Sequence, residues 1–250
     1  MTAATKFKGR QMTLSGKRVV VLGGSSGIGL AVARSAAEDG ASVVIASSQQ
    51  GRVAEALSML PKGAEGHVVD LAVGEAIEAL FETLGAFDHL VFTAGEALAL
   101  SGLANVSMEQ ARRFFQLRYW GAYMAAKFGC AGIRSGGSIV FTSGTAGRRP
   151  HAGWALGASV CSAMEGLTRA LAVELTPIRV NIVCPGVVKT PLWLAIPQAR
   201  RDAFFDQLET NLLVDHIAEP EEIAQSYLYL MRQTYGTGQV VVVDGGSVLV

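Results

Sequence analysis

The chain has 250 residues, of which 50% are hydrophobic and 17% are charged. A chain of this length and apolar content can bury a large core, which excludes intrinsic disorder as its main state. The 21 lysines and arginines balance the 21 aspartates and glutamates. No long-range field therefore favours nucleic acid or an anionic membrane surface as a partner.

Targeting signals and cysteine usage narrow the class further. No apolar run approaches the roughly 18 residues that cross a bilayer. The segment 1–14 contains no apolar stretch typical of a secretory signal, so we expect a flexible tail there. Cys130, Cys161 and Cys184 are an odd number without metal-ligand spacing. We therefore expect free thiols, no metal site and a cytoplasmic location.

Short apolar runs alternate with helical patterns along the whole chain. The predicted strands are residues 17–22, 41–46, 67–71, 89–93, 137–143, 179–183 and 239–244. The predicted helices are a segment that ends near Gly40, then 52–60, 75–84, a long one from Ser107 as N-cap towards residue 133, 153–175 and 219–231. Residues 191–209 mix aromatic and charged residues at helical spacing.

Nearly all-apolar strands separated by helices predict a parallel sheet that is covered on both faces. The pattern has no break in composition and no linker. We therefore predict an α/β fold, with a doubly wound seven-stranded parallel sheet in a single domain over residues 1–250. An eight-fold barrel is the alternative, but the glycine-rich first turn favours the open sheet.

A glycine-rich turn lies between the first predicted strand and the first predicted helix. It consists of Gly23, Gly24, Ser25, Ser26, Gly27, Ile28 and Gly29. A pyrophosphate can approach the backbone only where no Cβ intervenes, and the free N–H groups at a helix start then hold its charge. A tight structural turn is the alternative interpretation. The strand–turn–helix context favours nucleotide binding.

The end of the second predicted strand bears on the choice of nucleotide. NAD-binding proteins usually carry an acidic residue there, which hydrogen-bonds the ribose 2′-hydroxyl. This chain has Ser47, Ser48 and Gln49 instead, with Arg52 one helical turn later. Two hydroxyls and a cation suit a 2′-phosphate, whereas solvated loop residues are the alternative. We therefore favour NADP(H) over NAD(H).

The chain resembles the short-chain dehydrogenase/reductase family along nearly its whole length. The turn at 23–29 is similar to that family's cofactor loop, and residues 165–172 are similar to the helix that carries its catalytic pair. The resemblance implies a Rossmann-type fold and a dimer or tetramer of identical chains. It also implies that the cofactor contacts Asp70, Leu71, Thr93, Ala94, Gly95, Pro185, Gly186, Val188 and Thr190.

The positions of the family's catalytic residues do not match. The family uses Asn, Ser, Tyr and Lys, and alignment on residues 165–167 assigns the tyrosine to Gly157 and the lysine to Cys161. The serine position is Gly144 and the asparagine position is Arg118. Ser143 stands one residue early, so we expect its side chain to face the other side of its strand. All four usual groups are therefore absent.

Loss of these groups removes the family's usual mechanism. Carbonyl reduction needs a proton on the developing alkoxide, and a glycine offers no side-chain donor. Loss of a general acid typically costs about 10²–10⁴ in rate. Loss of one oxyanion donor costs about 10²–10³. A different proton source, or a different function, is required.

Several residues are candidates for a replacement role, each with a structural alternative. Arg118 can polarise a carbonyl or bind a carboxylate, or it can form a salt bridge or subunit contact. His151 has the pKa range of a proton donor but is also typical of a solvated loop. Cys161 is a thiol acid or a packing residue, and Glu96 is a site acid or a surface carboxylate. Two glycines also leave room for a bulkier ligand, or for a side chain such as Trp154 or Arg118 to fill the space.

Three functions remain open. The first is an NADP(H)-dependent oxidoreductase acting on an unidentified carbonyl or alcohol substrate with a non-standard proton source. The second is a catalytically inactive NADP(H)-binding sensor or partner subunit, and the third is lyase or dehalogenation chemistry. Residues 191–215 are expected to form a substrate lid with an apolar surface from Trp193, Leu194, Phe204 and Phe205.

Overall fold

The computed structural model describes residues 13–96 and 102–250. Within them, seven strands form one parallel sheet: β1 (Arg18–Leu22), β2 (Ser42–Ser47), β3 (Glu65–Val68), β4 (Phe87–Phe92), β5 (Ile133–Thr142), β6 (Arg179–Pro185) and β7 (Val240–Val243). The strand order is β3-β2-β1-β4-β5-β6-β7. The prediction of a doubly wound, seven-stranded Rossmann-type domain is confirmed.

Helices cover both faces of the sheet. They are α1 (Gly27–Glu38), α2 (Gln50–Ser58), α3 (Gly74–Leu84), α4 (Met108–Phe115), α5 (Ala122–Gly129), α6 (Ala155–Glu174), α7 (Gln198–Glu209) and α8 (Pro220–Arg232). Among the helices of residues 13–96 and 102–250, none combines the length and the apolar content needed to cross a membrane.

The strands read as continuous apolar runs because alternate side chains enter two separate cores. Val20 and Leu22 of β1 belong to a core shared with α3, α4, α5 and α6. Val19 and Val21 belong to the opposite core, which includes residues of α1, α2 and α8. Side chains of a strand alternate between faces, so a strand buried on both faces needs apolar residues throughout.

The chain crosses from one half of the sheet to the other at β1, which pairs with β2 on one side and β4 on the other. In an open α/β sheet, ligands bind outside the carboxyl ends of the strands at such a switch point. The glycine-rich turn follows β1 directly and leads into α1. The fold therefore places that turn at the mouth of the crevice.

The long predicted helix after Ser107 is interrupted. Its start is confirmed, because Ser107 and Gln110 form a capping box. Between α4 and α5, however, the backbone winds as a π-helix over Gln116–Gly121, and a 3₁₀ turn over Cys130–Gly132 ends the element. A Cβ at Gly121 would lie 2.4 Å from the Leu71 carbonyl oxygen, so glycine allows this segment to pack closely. Short π segments of this kind are frequent at functional sites.

The boundary of the predicted tail, residues 1–14, is wrong. Leu14 is only 1% exposed and belongs to the core under α1. Its amide donates a hydrogen bond of 2.8 Å to the Asp39 carboxylate. Residues 1–12 of that predicted tail lie outside the described part of the chain.

Candidate functional site

One cavity of about 600 Å³ opens at the carboxyl ends of the strands. Every residue predicted from the sequence to contact the cofactor lines it: Gly23, Ser25, Ser26, Gly27, Ile28, Gly29, Ser47, Ser48, Gln49, Asp70, Leu71, Thr93, Ala94, Gly95, Pro185, Gly186, Val188 and Thr190. The same cavity is lined by Arg118, Gly144, Gly157 and Cys161. The structure therefore brings both predicted sets of site residues together.

The glycines of the first turn are required by close backbone approach. A Cβ at Gly23 would lie 2.5 Å from the Ala94 amide nitrogen, and one at Gly29 would lie 2.2 Å from the Gly23 carbonyl oxygen. Gly23 also has a φ of 90°, which side chains rarely tolerate. The side chain of the N-cap, Ser26, accepts no hydrogen bond from the amides of α1. These amides remain available for an anion in the cavity.

Thr93 has a structural role at the junction of β4 with this turn. Its hydroxyl reaches the carbonyl oxygens of Leu22 at 3.2 Å and Gly23 at 3.3 Å. The hydroxyl links β4 to the end of β1 and thereby fixes the turn beneath α1.

The end of β2 presents hydroxyls and a cation to the cavity. The Ser25 hydroxyl donates a 2.8 Å hydrogen bond to the Ser47 hydroxyl, which joins the glycine-rich turn to β2. Ser48, Gln49 and Arg52 also line the cavity there. This arrangement offers neutral and positive donors to a phosphate oxygen.

The positions of the missing tyrosine and serine differ in the space around them. No heavy atom lies within 4 Å of a Cβ built on Gly157, whereas a Cβ on Gly144 would lie 3.3 Å from the Cys161 sulfur. Burial raises the pKa of the Cys161 thiol. This thiol is therefore protonated at neutral pH and is a poor nucleophile.

The expectation that Ser143 faces away from the site is wrong. Ser143 lines the cavity, and its hydroxyl donates a 3.2 Å hydrogen bond to the carbonyl oxygen of Cys161 in α6. The preceding residue faces the opposite layer, since the Thr142 hydroxyl lies 2.7 Å from the Tyr227 hydroxyl of α8. Ser143 thus joins β5 to α6 with a hydroxyl that is already engaged.

Arg118 projects from the π-helical segment into the inner end of the cavity. Its guanidinium lies over the Phe114 ring at 5.0 Å and donates through Nη2 to the Glu96 carbonyl oxygen. Gly95 permits this position, because a Cβ there would lie 2.6 Å from Nη1. Burial lowers the pKa of Arg118, and the nearby Glu96 carboxylate opposes part of that shift. Arg118 nevertheless stays charged, since a guanidinium is not deprotonated in proteins.

The contact between Arg118 and the Glu96 carboxylate is incomplete. Arg118 Nε lies 3.7 Å from Glu96 Oε2, which is too long for a hydrogen bond. Both atoms are buried, and neither has a hydrogen-bond partner among the described residues. Buried polar atoms of this kind are rare in native proteins.

Comparison with known proteins places the chain in a family. A family model described as Enoyl-(Acyl carrier protein) reductase matches residues 23–247. The short-chain dehydrogenase/reductase ATR9 of Stachybotrys chlorohalonatus is 37% identical over an alignment of 253 residues. The alignment covers 95% of this chain and 99% of that protein. The chain belongs to the short-chain dehydrogenase/reductase family. It is therefore a member of a family of oxidoreductases.

Two solved structures of similar proteins share the fold. The crystal structure of a small-chain dehydrogenase in complex with NADPH has a TM-score of 0.80 and 34% identity, covering 94% of this chain and 99% of that one. The reductase/Diels-Alderase MalC from Malbranchea aurantiaca has a TM-score of 0.89 and 32% identity, covering 96% and 100%. The similarity covers both the glycine-rich turn and the positions of the family's catalytic residues in this short-chain dehydrogenase/reductase.

Three predicted contributors to the site do not line the cavity. His151 is exposed and does not line the cavity; it packs edge-on against Trp154 at 5.1 Å, so the structure does not support it as the substitute acid. Phe204 and Phe205 of α7 also do not line the cavity. They pack against Trp193 at 5.4 and 6.1 Å, and thereby support a residue that does.

Sequence reasoning missed Phe114 and Leu117, which line the cavity beside Arg118. Helical spacing carried a signal for them. Residues three or four apart on a helix share a face, so Phe114 is on the face of Arg118. Leu117 reaches the cavity as well because the π-helical turn changes that spacing.

Proposed function

We propose that this short-chain dehydrogenase/reductase is an NADP(H)-dependent oxidoreductase that acts on a small-molecule substrate without the family's tyrosine as proton source. The observation that carries the proposal is the cavity of about 600 Å³. It joins the start of α1 to the positions of the catalytic residues. A dinucleotide bound along it would reach from the phosphate-binding turn to the space beside Gly157.

The residues of the turn fit a dinucleotide. The uncapped amides of α1 and the missing Cβ atoms of Gly23 and Gly29 leave a cradle for a pyrophosphate. Ser48 and Arg52 offer donors for a 2′-phosphate. The solved relative that contains NADPH supports the same choice. When bound, the reduced nicotinamide supplies a hydride.

The cofactor preference is tested by fluorescence titration with NADPH and NADH. We expect tighter binding of NADPH, and Arg52→Ala should weaken it about tenfold or more, because a hydrogen bond to a charged group contributes about 1.5–3 kcal/mol. NADH binding should change little. Arg113→Ala, an exposed arginine on α4 outside the cavity, is the control. Equal affinities would contradict the NADP(H) preference, and no dinucleotide binding would overturn the proposed function.

The residues around the positions of the family's catalytic residues can bind and orient a substrate, but none of them readily donates a proton to it. Gly144 and Gly157 carry no donor, and the hydroxyl of Ser143 is bonded to the main chain of α6. The Cys161 thiol has a raised pKa because it is buried, which makes it a weak acid. Arg118 can stabilise negative charge without releasing a proton. The proton that completes a reduction is therefore assigned to water.

Restoring the missing groups tests this account of the site. In the triple variant Gly144→Ser, Gly157→Tyr and Cys161→Lys, we expect reduction of simple ketones to rise by about 10²–10⁴, the usual contribution of a general acid. A Cβ at Gly157 would meet no heavy atom within 4 Å, so a side chain can start there without a clash. The same variant with Gly157→Phe is the matched control, since it lacks only the phenol hydroxyl.

The NADPH consumption at 340 nm measures both variants. Equal gains in the tyrosine and phenylalanine variants would show that the phenol is not the missing group. Wild-type turnover of simple ketones at the rate of the restored variant would also contradict a non-standard proton source.

A second candidate function is a cofactor-binding sensor or partner subunit without catalysis. The glycines at the two proton-donor positions favour it, because they remove donors while the cofactor end remains open. NADPH binding without turnover of any carbonyl, quinone or aldehyde would favour this function over the first.

A further inference from the structure

We propose that the doubly protonated form of His216 holds the predicted lid, residues 191–215, against the cavity, and that loss of this proton at higher pH loosens the lid. Access of a ligand to the cavity thereby depends on pH. The inference goes beyond the proposed function, because it concerns the way into the cavity and not the reaction inside it.

The lid has little packing of its own to keep it in place. No side chain of α7 is fully buried. The lid reaches the cavity through Trp193, which lines it and contacts the rings of Phe204 and Phe205 in α7 at 5.4 and 6.1 Å. An element with few buried apolar contacts opens at a low cost in free energy. The position of α7 therefore depends on contacts outside the helix.

Polar contacts tie the end of α7 to the cavity wall. Oε1 of Glu209, the last residue of α7, lies 3.3 Å from Lys189 Nζ and accepts a 3.3 Å hydrogen bond from the Ile217 amide. The Lys189 amide donates to the Ala218 carbonyl oxygen at 2.9 Å. Lys189 directly follows Val188, which lines the cavity. These contacts join the lid to the segment that precedes α8.

His216 adds a contact that only its doubly protonated form completes. Its Nδ1 lies 2.8 Å from the Val214 carbonyl oxygen, and its Nε2 lies 3.0 Å from Oε1 of Glu222 in α8. Both partners are acceptors when Glu222 is ionised. A neutral imidazole carries one N–H and donates to one of them, whereas the imidazolium donates to both. The geometry thus selects the charged form of His216.

Glu222 is held in place in its ionised form. Its Oε2 accepts a 2.8 Å hydrogen bond from the Glu219 amide, as part of the capping box of α8. This bond and the contact with His216 lower the pKa of Glu222. The Glu222 carboxylate and the Val214 carbonyl oxygen in turn raise the pKa of His216 above its usual 6.5. The direction of both shifts agrees with the geometry of the contact.

The charges around His216 come from three elements. Glu222 lies on α8, Glu209 ends α7, and Lys189 lies in the loop after β6. Lys189 disfavours the proton on His216, but its ammonium is shared between Glu209 at 3.3 Å and Glu219 at 3.7 Å. In this part of the described chain, three carboxylates therefore surround one lysine. A proton on His216 reduces the repulsion between them.

The turn that His216 closes has an unfavourable backbone conformation. Asp215 has a φ of 57°, in a region that residues with a Cβ rarely adopt. The hydrogen bond from His216 to the Val214 carbonyl oxygen spans this residue. A strained backbone persists only where the surrounding contacts hold it. Loss of either bond of His216 therefore favours rearrangement of the segment between α7 and α8.

The sign of the pH effect follows from the raised pKa. Below pH 6.5 His216 is charged whether the lid is held or released, so the contact contributes in full. As pH rises through the higher pKa of the held form, the proton leaves and this contribution is lost. Because the groups are exposed, we expect the lid equilibrium to shift by only about two- to fivefold.

Limited proteolysis of the full chain with trypsin tests the proposal. Arg200 and Arg201 lie in α7, and trypsin cleaves after them only when that helix opens. From pH 6 to pH 8.5 we expect cleavage there to rise about two- to fivefold, relative to an unstructured reference peptide digested in the same tube. Mass spectrometry identifies the fragments. Lys62, exposed in the loop between α2 and β3, is an internal control whose cleavage should not change.

Three variants assign the effect to His216. His216→Gln cannot take up a proton, so it should be cleaved at every pH at the rate that the wild type has at pH 8.5. Glu222→Gln keeps the capping box of α8, which accepts glutamine as well as glutamate. It lacks the charge, so its increase in cleavage should begin at lower pH. His151→Gln, at an exposed position outside the lid, should match the wild type.

Thermal unfolding verifies that each variant is folded. Wild-type cleavage at Arg200 and Arg201 that does not change with pH overturns the proposal. So does a pH dependence in His216→Gln or Glu222→Gln equal to that of the wild type. An equal increase at Lys62 also overturns it, because the whole chain would then loosen rather than the lid. The experiment uses no dinucleotide, so its outcome is independent of the proposed function.

Discussion

Buried charge is paired differently at the two ends of the parallel strands, which we call the amino edge and the carboxyl edge of the sheet. At the amino edge, Asp88 is 5% exposed and accepts hydrogen bonds from Lys17 at 3.0 Å, from Arg134 at 2.9 Å and from the Arg18 amide at 2.9 Å. At the carboxyl edge, Arg118 and Glu96 each keep a buried polar atom without a partner among the described residues. Satisfied charge stabilises the fold at one edge, and unsatisfied charge marks the site at the other.

The pKa directions reflect the same contrast. Burial alone would raise the pKa of Asp88, but the hydrogen bonds from the Arg18 amide and the Lys17 ammonium outweigh it and lower that pKa. Burial lowers the pKa of Arg118, and its neighbours do not reverse the shift. Hydrogen bonds at the amino edge thus compensate the burial of the Asp88 charge, whereas protein groups compensate the burial of the Arg118 charge at the carboxyl edge only in part.

The largest expected effect is at the amino edge. Asp88→Ala should lower the free energy of unfolding by about 3 kcal/mol, since it removes the buried acceptor of three hydrogen bonds, and a hydrogen bond to a charged group contributes about 1.5–3 kcal/mol. Urea denaturation measures the change. Asp202→Ala, an exposed carboxylate on α7, is the control and should stay within about 0.5 kcal/mol. A loss below about 1 kcal/mol for Asp88→Ala would remove the basis of the comparison.

The fold could be predicted from the sequence because burial on both faces imposes a simple pattern. The apolar runs and the turns between them gave all seven strands, with boundaries displaced by a few residues. β5 begins at Ile133 rather than 137, because Ile133 pairs with Phe87 of β4 ahead of an irregularity in the register, and the polar and glycine residues 134–136 that follow it carry no apolar pattern. The burial of Leu14 has no signal in the sequence, since a single apolar residue in a polar segment carries no periodicity.

The site could be predicted only as far as its backbone. Glycines required by close approach, such as Gly23 and Gly29, are visible as a motif. The π-helical turn that positions Arg118 has no such motif, because residues 116–121 continue the helical pattern that begins in α4. His151 has suitable chemistry but lies on an exposed loop, and sequence spacing does not report the direction of a side chain. Whether Arg118 Nε forms a hydrogen bond with Glu96 Oε2 depends on a few tenths of an ångström in their separation, and a sequence pattern carries no information on that scale.

A second prediction concerns His89, beside Asp88. Burial, together with the positive Arg179, lowers the pKa of His89 from 6.5 to about 4. The unfolded chain therefore binds a proton between pH 6.5 and 4 that the folded chain does not, so stability is lost as pH falls through this window. The loss from this residue is at most about 3 kcal/mol.

Urea denaturation at pH 7 and at pH 4.5 tests the role of His89. The variant His89→Gln cannot take up a proton but keeps a polar group near Ser138, whose hydroxyl lies 2.9 Å from His89 Nδ1. It should lose this part of the pH dependence, and His151→Gln, at an exposed position, should keep it. Equal pH dependence in His89→Gln and the wild type would contradict the prediction.

The smallest expected effect on stability is at the carboxyl edge. Arg118→Met keeps an unbranched side chain over Phe114 and removes a buried charge that is only partly compensated, while Glu96 retains access to water. Because Glu96 is 40% exposed and stays solvated when its partner is removed, loss of such a partly screened pair typically costs about 0–1 kcal/mol, so urea denaturation should reveal a loss below about 1 kcal/mol. A loss of about 3 kcal/mol, as expected for Asp88→Ala, would mean that Arg118 serves the fold in the same way as the amino-edge charges. A near-zero change would instead separate the two edges, since charged side chains would then stabilise the protein at the amino edge and contribute nothing to its stability at the edge where the cavity opens.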